Sequence, residues 1–189
     1  LLAAGQASAN LPQVDGPAVI LSRSCSQTTL AQVAHFRDQG GPAMQIDPMQ
    51  LAAGVPVIEQ AVAFAREHQA NGRAPLLFAS AAPETVRATQ QALGRHEAGQ
   101  LVEQALAACA RQLRAAGTRR FVIAGGETSG AVVQALEVKA LRIGPQIDPG
   151  VPWTTTIGQP ELAITLKSGN FGATDFFAKA LALLDGGQA

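Results

Sequence analysis

Several segments of this 189-residue chain join an apolar run to a cluster of glycines and hydroxyl residues. The first is Gly125-Gly-Glu-Thr-Ser-Gly130, preceded by Arg120-Phe-Val-Ile-Ala124 and followed by an apolar Ala-Val-Val. Glycines let backbone N–H groups approach an anion with no Cβ in the way. A helix start adds unpaired donors and the positive end of the helix dipole. The dipole contributes only ~0.3–1 kcal/mol, whereas each hydrogen bond to a charged partner contributes ~1.5–3 kcal/mol. Two or three N–H contacts therefore dominate, and side chains choose the ligand. The chemistry on offer is phosphate binding. Thr128 and Ser129 either bond that phosphate or cap the helix. Glu127 either complements the dipole or reaches a Mg²⁺ through water, as hard cations prefer. The segment is neither a Walker A loop nor a GxGxxG fingerprint.

A second segment, Ser22-Arg-Ser-Cys-Ser-Gln-Thr-Thr29, is also strand-to-helix, with hydroxyl residues at five of its eight positions. Ser26 or Thr28 is the natural helix cap there. Cys25 has no histidine arranged with it in the sequence that would make it a nucleophile. A third segment, Lys167-Ser-Gly-Asn-Phe-Gly172, is a turn after a strand, in which Lys167 either neutralises phosphate charge or forms a surface ion pair. A fourth, Gly144 to Trp153, is a loop rich in Pro and Gly carrying the single Trp. The indole is expected to pack on the sheet, with adenine stacking as the lesser reading. His35, His68 and His96 lack metal-ligand spacing and read as surface or cap residues.

The elements that must hold these segments follow from periodicity. Strands are expected at 18–22, 43–46, 75–79, 120–124, 141–143 and 162–166. Helices are expected from about Leu30 to Gly40, from Pro56 to Asn71, from Pro83 to Leu93, from Glu97 to Ala116, from Ala131 to Leu136 and at the C-terminus around Phe177 to Leu184. Strands alternate with helices, which argues α/β: a mostly parallel sheet with helices on both faces, three layers deep. Ligands of such sheets bind beyond the carboxyl ends of the strands. The strands ending at Ser22, Ala124 and Leu166 feed the small polar turns. Residues 17–189 read as one domain, and 1–16 as a linker or the end of an upstream element.

Composition narrows the classes. The chain is 47% hydrophobic and 15% charged, a globular balance. Formal net charge is zero, from 14 basic and 14 acidic residues, which argues against nucleic acid as a partner. No run of about 18 apolar residues suggests a membrane span, and no signal-peptide pattern is visible. Two cysteines make no disulfide framework. Cys109 falls on the apolar face Val102, Leu106, Cys109, Leu113 and reads as a core residue, consistent with a reducing, cytoplasmic setting.

Four ordered motifs resemble one family. They are Leu21-Ser-Arg-Ser-Cys-Ser26 with Gln32-Val33; Ala124-Gly-Gly-Glu-Thr-Ser-Gly130; Ile143-Gly-Pro-Gln-Ile-Asp-Pro-Gly-Val-Pro-Trp153; and Leu166-Lys-Ser-Gly-Asn-Phe-Gly172 with Asp175-Phe-Phe177. Together they resemble the C-terminal domain of the four-carbon acid sugar kinases, the 3-oxo-tetronate kinase group. The resemblance runs over nearly the whole chain from about Pro17. It implies ATP and Mg²⁺ as cofactors. It also implies a separate N-terminal domain as partner, holding the sugar acid and the catalytic base. The ATP-binding residues it implies are Ser22, Gly125, Gly126, Glu127, Thr128 and Gly169. One position departs: where the family usually has a glycine, this chain has Arg23, which either strains the turn or adds a cation near the phosphates. The rival expectation is a non-catalytic nucleotide-binding or interaction module derived from such a kinase. A homo-oligomer is compatible with either.

Overall fold

The computed structural model describes residues 13–158 and 161–185. The expected linker of residues 1–16 thus falls mostly outside the described residues. Of its last few, Val14 is buried and packs with the core.

Seven strands form one sheet in the order β2-β3-β1-β4-β7-β6-β5. The first four are β1 (Ala18–Ser22), β2 (Ala43–Gln45), β3 (Leu76–Phe78) and β4 (Arg120–Ala124). The other three are β5 (Leu141–Asp148), β6 (Val151–Thr156) and β7 (Ala163–Lys167). β2, β3, β1, β4 and β7 are parallel, and β6 and β5 extend the sheet antiparallel. β1 is buried at every position, as a central strand covered on both faces must be.

Alternation along the strands sends side chains to two apolar layers. Val19, Leu21, Phe121, Ile123 and Ile164 meet helices α3 (Val57–Ala70), α5 (Arg95–Ala115) and α6 (Gly126–Ala135). Ile20, Val122, Ala124 and Ala163 meet α1 (Gln27–Asp38) and α7 (Phe176–Leu184). α5 explains its own placement: Val102, Ala105, Leu106, Cys109, Ala110 and Leu113 make a continuous buried stripe at helical spacing. Burial there pushes the Cys109 thiol up to about 12, so it is a core residue, as its position in the stripe predicts. α2 (Pro48–Ala52) and α4 (Pro83–Leu93) complete the set. The result is a three-layer α/β sheet, as the alternation of strands and helices predicts.

Three local expectations need correction. The stretch 144–153 is not a loop but part of a hairpin, β5 turning into β6 at Pro149-Gly150. Pro145 is tolerated because β5 is an edge strand whose pairing is interrupted by register shifts around Gln146, and Pro152 because it sits at that irregularity, opposite Gln146 and outside the β6–β7 pairs at Thr154 and Thr155. α6 begins at Gly126 rather than Ala131, so the glycine-rich segment is the first turn of the helix itself. The short α2 was not expected; Asp47 caps it, its carboxylate accepting from the Met49 N–H at 2.8 Å, with Pro48 at the first position.

Candidate functional site

Loops from four neighbouring parallel strands emerge in a row at the carboxyl edge of the sheet. Hydrogen bonds extend the ladder past the strand ends: Ala79 N to Ser22 O at 2.8 Å, Arg23 N to Ala124 O at 3.2 Å and Gly125 N to Lys167 O at 2.8 Å. The helix after β1 leaves to one face and the helix after β4 to the other. Adjacent strands that send their helices to opposite faces make a topological switch point, and the crevice there is where such sheets bind ligands.

A cleft of about 640 Å³ opens at this edge, over the ends of β2, β3, β1 and β4. That is within the size range of small-molecule and cofactor sites. One end is polar, lined by Arg23, Ser24 and the first turn of α6 from Gly125 to Thr128. The apolar lining is Pro48, Ala81, Val86, Ala98 and Val102, with Thr89 and Gln90 among it. Its α5 part borders the polar end, since a Cβ on Gly99 would lie 3.2 Å from Arg23 Nη2.

The polar end is shaped by glycine. Gly125 has φ +129° and a Cβ there would lie 3.2 Å from Thr128 Oγ1 and 3.4 Å from the Ser24 N–H. Gly126 is different: a Cβ would meet nothing within 4 Å, because it would project into open space. The expected cap by Thr128 or Ser129 does not form. Gly125 is the N-cap, with no side-chain cap bond among the described residues, and Ser129 Oγ instead donates to Gly125 O at 2.8 Å. The first-turn N–H groups of α6 therefore lie at the cleft without a capping side chain, and Glu127 is largely exposed beside them.

Arg23 does not strain its turn: Glu137 is the one non-glycine residue with positive φ among the described residues. Its guanidinium reaches across the polar end. Nη2 lies 2.7 Å from Glu127 Oε2, and Nη1 lies 3.4 Å from Glu103 Oε2 on α5.

Ser22 and Gly169 lie behind this wall and do not line the cleft. Ser22 is fully buried, its hydroxyl 2.9 Å from that of Ser80. Gly169 is pressed against the β1–α1 loop, where a Cβ would come within 2.3 Å of Ser24 Oγ. Its carbonyl accepts from Ser26 Oγ at 2.6 Å, Thr29 Oγ1 at 2.8 Å and Lys167 Nζ at 3.2 Å. Ser26 caps α1, as the sequence predicts, accepting from the Thr29 N–H at 3.2 Å.

Lys167 is neither a phosphate contact at the cleft nor a surface ion pair. It is fully buried, donating to Thr29 Oγ1 at 3.0 Å, Ser168 O at 3.1 Å and Gly169 O at 3.2 Å, and burial lowers its pKa to about 8. Trp153 is buried too, and its Nε1–H donates to Ala180 O at 2.8 Å. It packs on the sheet beneath α7 and does not line the cleft. The other motif residues are clamps on the last turn. Gln32 Nε2 donates to the carbonyls of Phe171, Gly172 and Ala173, and the Asp148 carboxylate accepts from the Ala173 N–H at 2.8 Å.

Sequence reasoning missed the far side of the cleft: Gln45, Asp47, Pro48 and the facing sides of α4 and α5. The signal that was available is the small-residue run Ala79-Ser-Ala-Ala82 after β3, a fourth strand end of the same kind. Among the described residues no three His, Cys, Asp or Glu side chains gather to hold a metal ion. A Mg²⁺ that arrives with phosphates needs only one or two carboxylates, and Glu127 at the cleft fits that donor set. No helix among the described residues is long and apolar enough to cross a membrane.

Comparison with known proteins gives the fold a family. Residues 19–177 match the family model described as "Nucleotide-binding C-terminal domain". A 3-oxo-tetronate kinase of Burkholderia multivorans is 57% identical over 185 residues, covering 98% of this chain and 42% of that protein. One from Pseudomonas fluorescens is 56% identical over 182 residues, covering 96% and 42%. The chain thus spans well under half the length of these curated relatives. Among solved structures, a Haemophilus influenzae protein of the DUF1537 family superposes with a TM-score of 0.88 at 35% identity, over 94% of this chain and 43% of that one. With a matching model over most of its length and a cleft where such sheets bind ligands, the chain belongs to the family of nucleotide-binding C-terminal domains found in 3-oxo-tetronate kinases.

Proposed function

We propose that this chain is the ATP-binding part of a kinase that phosphorylates a four-carbon sugar acid of the 3-oxo-tetronate type. The sugar acid and the base that activates its hydroxyl belong, in this reading, to the portion of the relatives that this chain does not span. The observation that carries the reading is the cleft at the switch point, lined by the uncapped N–H groups of α6 and by apolar residues from α2, α4 and α5. The triphosphate lies at the α6 end, bonded by the backbone N–H groups of Gly126, Glu127 and Thr128 and admitted by the absence of side chains at Gly125 and Gly126. The adenine lies between Pro48, Val86 and Val102, where an aromatic face gains from burial and the neighbouring Thr89 and Gln90 offer its edge hydrogen bonds. Ser22 and Gly169 support the nucleotide from behind, by fixing the strand-end loops. Mg²⁺ bound with the nucleotide would neutralise phosphate charge, with Glu127 as the carboxylate that holds it. Phosphoryl transfer needs mostly positioning and charge stabilisation, which is what a cleft of this kind contributes.

Gly126→Val tests the assignment cleanly. A Cβ at 126 would meet nothing within 4 Å, so the substitution should leave the fold in place while filling the space given to phosphate. Calorimetry should show ATP binding to the parent and none to the variant, with melting temperatures alike. Equal affinity in the two proteins would remove the phosphate from this turn.

A further inference from the structure

The polar end of the cleft carries three charges that nucleotide binding does not by itself require. Arg23 leaves the end of β1, Glu127 stands in the first turn of α6 and Glu103 on α5, so three elements meet at one guanidinium. The Arg23 side chain is 22% exposed and the Glu127 side chain 77%, so the cation is held and its nearest anion is free to swing. Gly99 leaves room for the guanidinium: a Cβ there would lie 3.2 Å from Arg23 Nη2. One cation against two carboxylates leaves a net negative charge where the α6 N–H groups would receive phosphate. That arrangement opposes an incoming anion unless the pairing changes.

A guanidinium fork matches phosphate oxygens as well as it matches a carboxylate. We propose that Arg23 is a phosphate ligand masked by Glu127, and that the phosphates of an entering nucleotide take Glu127's place on the guanidinium. This rests on the nucleotide reading of the cleft and adds an exchange step to it. The exchange releases the Glu127 carboxylate beside the newly bound phosphates, where it repels them in the absence of a divalent cation and serves the cation when one is present. Nucleotide and Mg²⁺ binding are thereby coupled through one side chain. Glu103 keeps the guanidinium in the cleft throughout, since its contact is made by the other nitrogen, Nη1.

The test is calorimetric titration with ATP and, separately, inorganic tripolyphosphate, without divalent cations. The proteins compared are the parent, Glu127→Gln, Arg23→Gln, Arg23→Lys and the Glu127→Gln/Arg23→Gln double variant. Thermal melts check that each is folded. The exchange predicts that Glu127→Gln tightens both ligands by roughly three- to fivefold, the scale of a partly exposed ion pair. Arg23→Gln should weaken both by roughly tenfold or more, the loss of a charge-assisted hydrogen bond, and Arg23→Lys should recover part of that. The gain from Glu127→Gln should shrink once Arg23 is gone. If ATP binds the parent but Glu127→Gln weakens it, or Arg23→Gln leaves it unchanged, the exchange is wrong and the nucleotide reading survives. If tripolyphosphate follows the pattern while ATP binds no variant, the exchange stands and the nucleotide reading falls. If neither ligand binds the parent or Glu127→Gln, both are overturned.

Discussion

Ser26 uses one hydroxyl to join two loops. It accepts from the Thr29 N–H and donates to Gly169 O, so the start of α1 and the turn after β7 are held by the same oxygen. Ser26→Ala removes the cap and one of the three donors to Gly169 O, and should cost about 1–2 kcal/mol in urea unfolding. A second residue reports on the cleft directly. Cys25 is exposed and lines the cleft, while Cys109 is buried. An alkylating reagent should modify one thiol in the native protein, and saturating ATP should slow that reaction several-fold. Unchanged kinetics would place the nucleotide away from the β1–α1 loop. At this scale the sequence was readable in part. The hydroxyl cluster from Ser22 to Thr29 and the glycine pair at 125–126 are visible as residue types. Where each hydroxyl points is not, because β1 is buried on both faces and shows no polar alternation. Ser22 therefore bonds Ser80 rather than facing the cleft. Lys167 misled for a similar reason: nothing in the local sequence tells a buried ammonium from an exposed one.

At the scale of elements, helices with a strong start or stop signal were legible nearly to the residue, as with Pro83 opening and Gly94 ending α4. The hairpin of β5 and β6 was not, because Pro145, Pro152 and two glycines argue against strands unless they fall at an edge or at an irregularity of the ladder, and both are properties of the whole sheet. The same limit hid the apolar half of the site. Val86, Ala98 and Val102 look like ordinary helix-face residues until α4 and α5 are brought together over the strand ends. Val86→Arg should therefore leave the fold intact, since no residue of α4 is buried, yet weaken ATP far more than inorganic tripolyphosphate. Equal loss for both ligands would mean that the base lies elsewhere.

For the molecule as a whole, alternation of strands and helices announced the α/β class, while strand order, and with it the switch point between β1 and β4, came only from the structure. One global property follows from Lys167. Its folded pKa of about 8 lies below the usual lysine value of 10.5, so between those values the unfolded chain binds the extra proton. Stability from this group is therefore lowest below pH 8 and rises as pH increases toward 10.5. The stability difference between the parent and Lys167→Met should shift toward the parent across that window, and a flat difference would place the ammonium in water.

In the proposed site, the cleft over β1 and β4 takes a nucleotide with its phosphates on α6 and its base against α4 and α5. Titrating ATP with Mg²⁺ into the isotope-labelled chain, and following backbone amides by NMR, tests it most directly. Saturable shifts are expected at Arg23, Ser24, Gly126, Glu127 and Thr128, with a second group on α4 around Val86. Shifts confined to α1 and α7, or none at millimolar ATP, would contradict it.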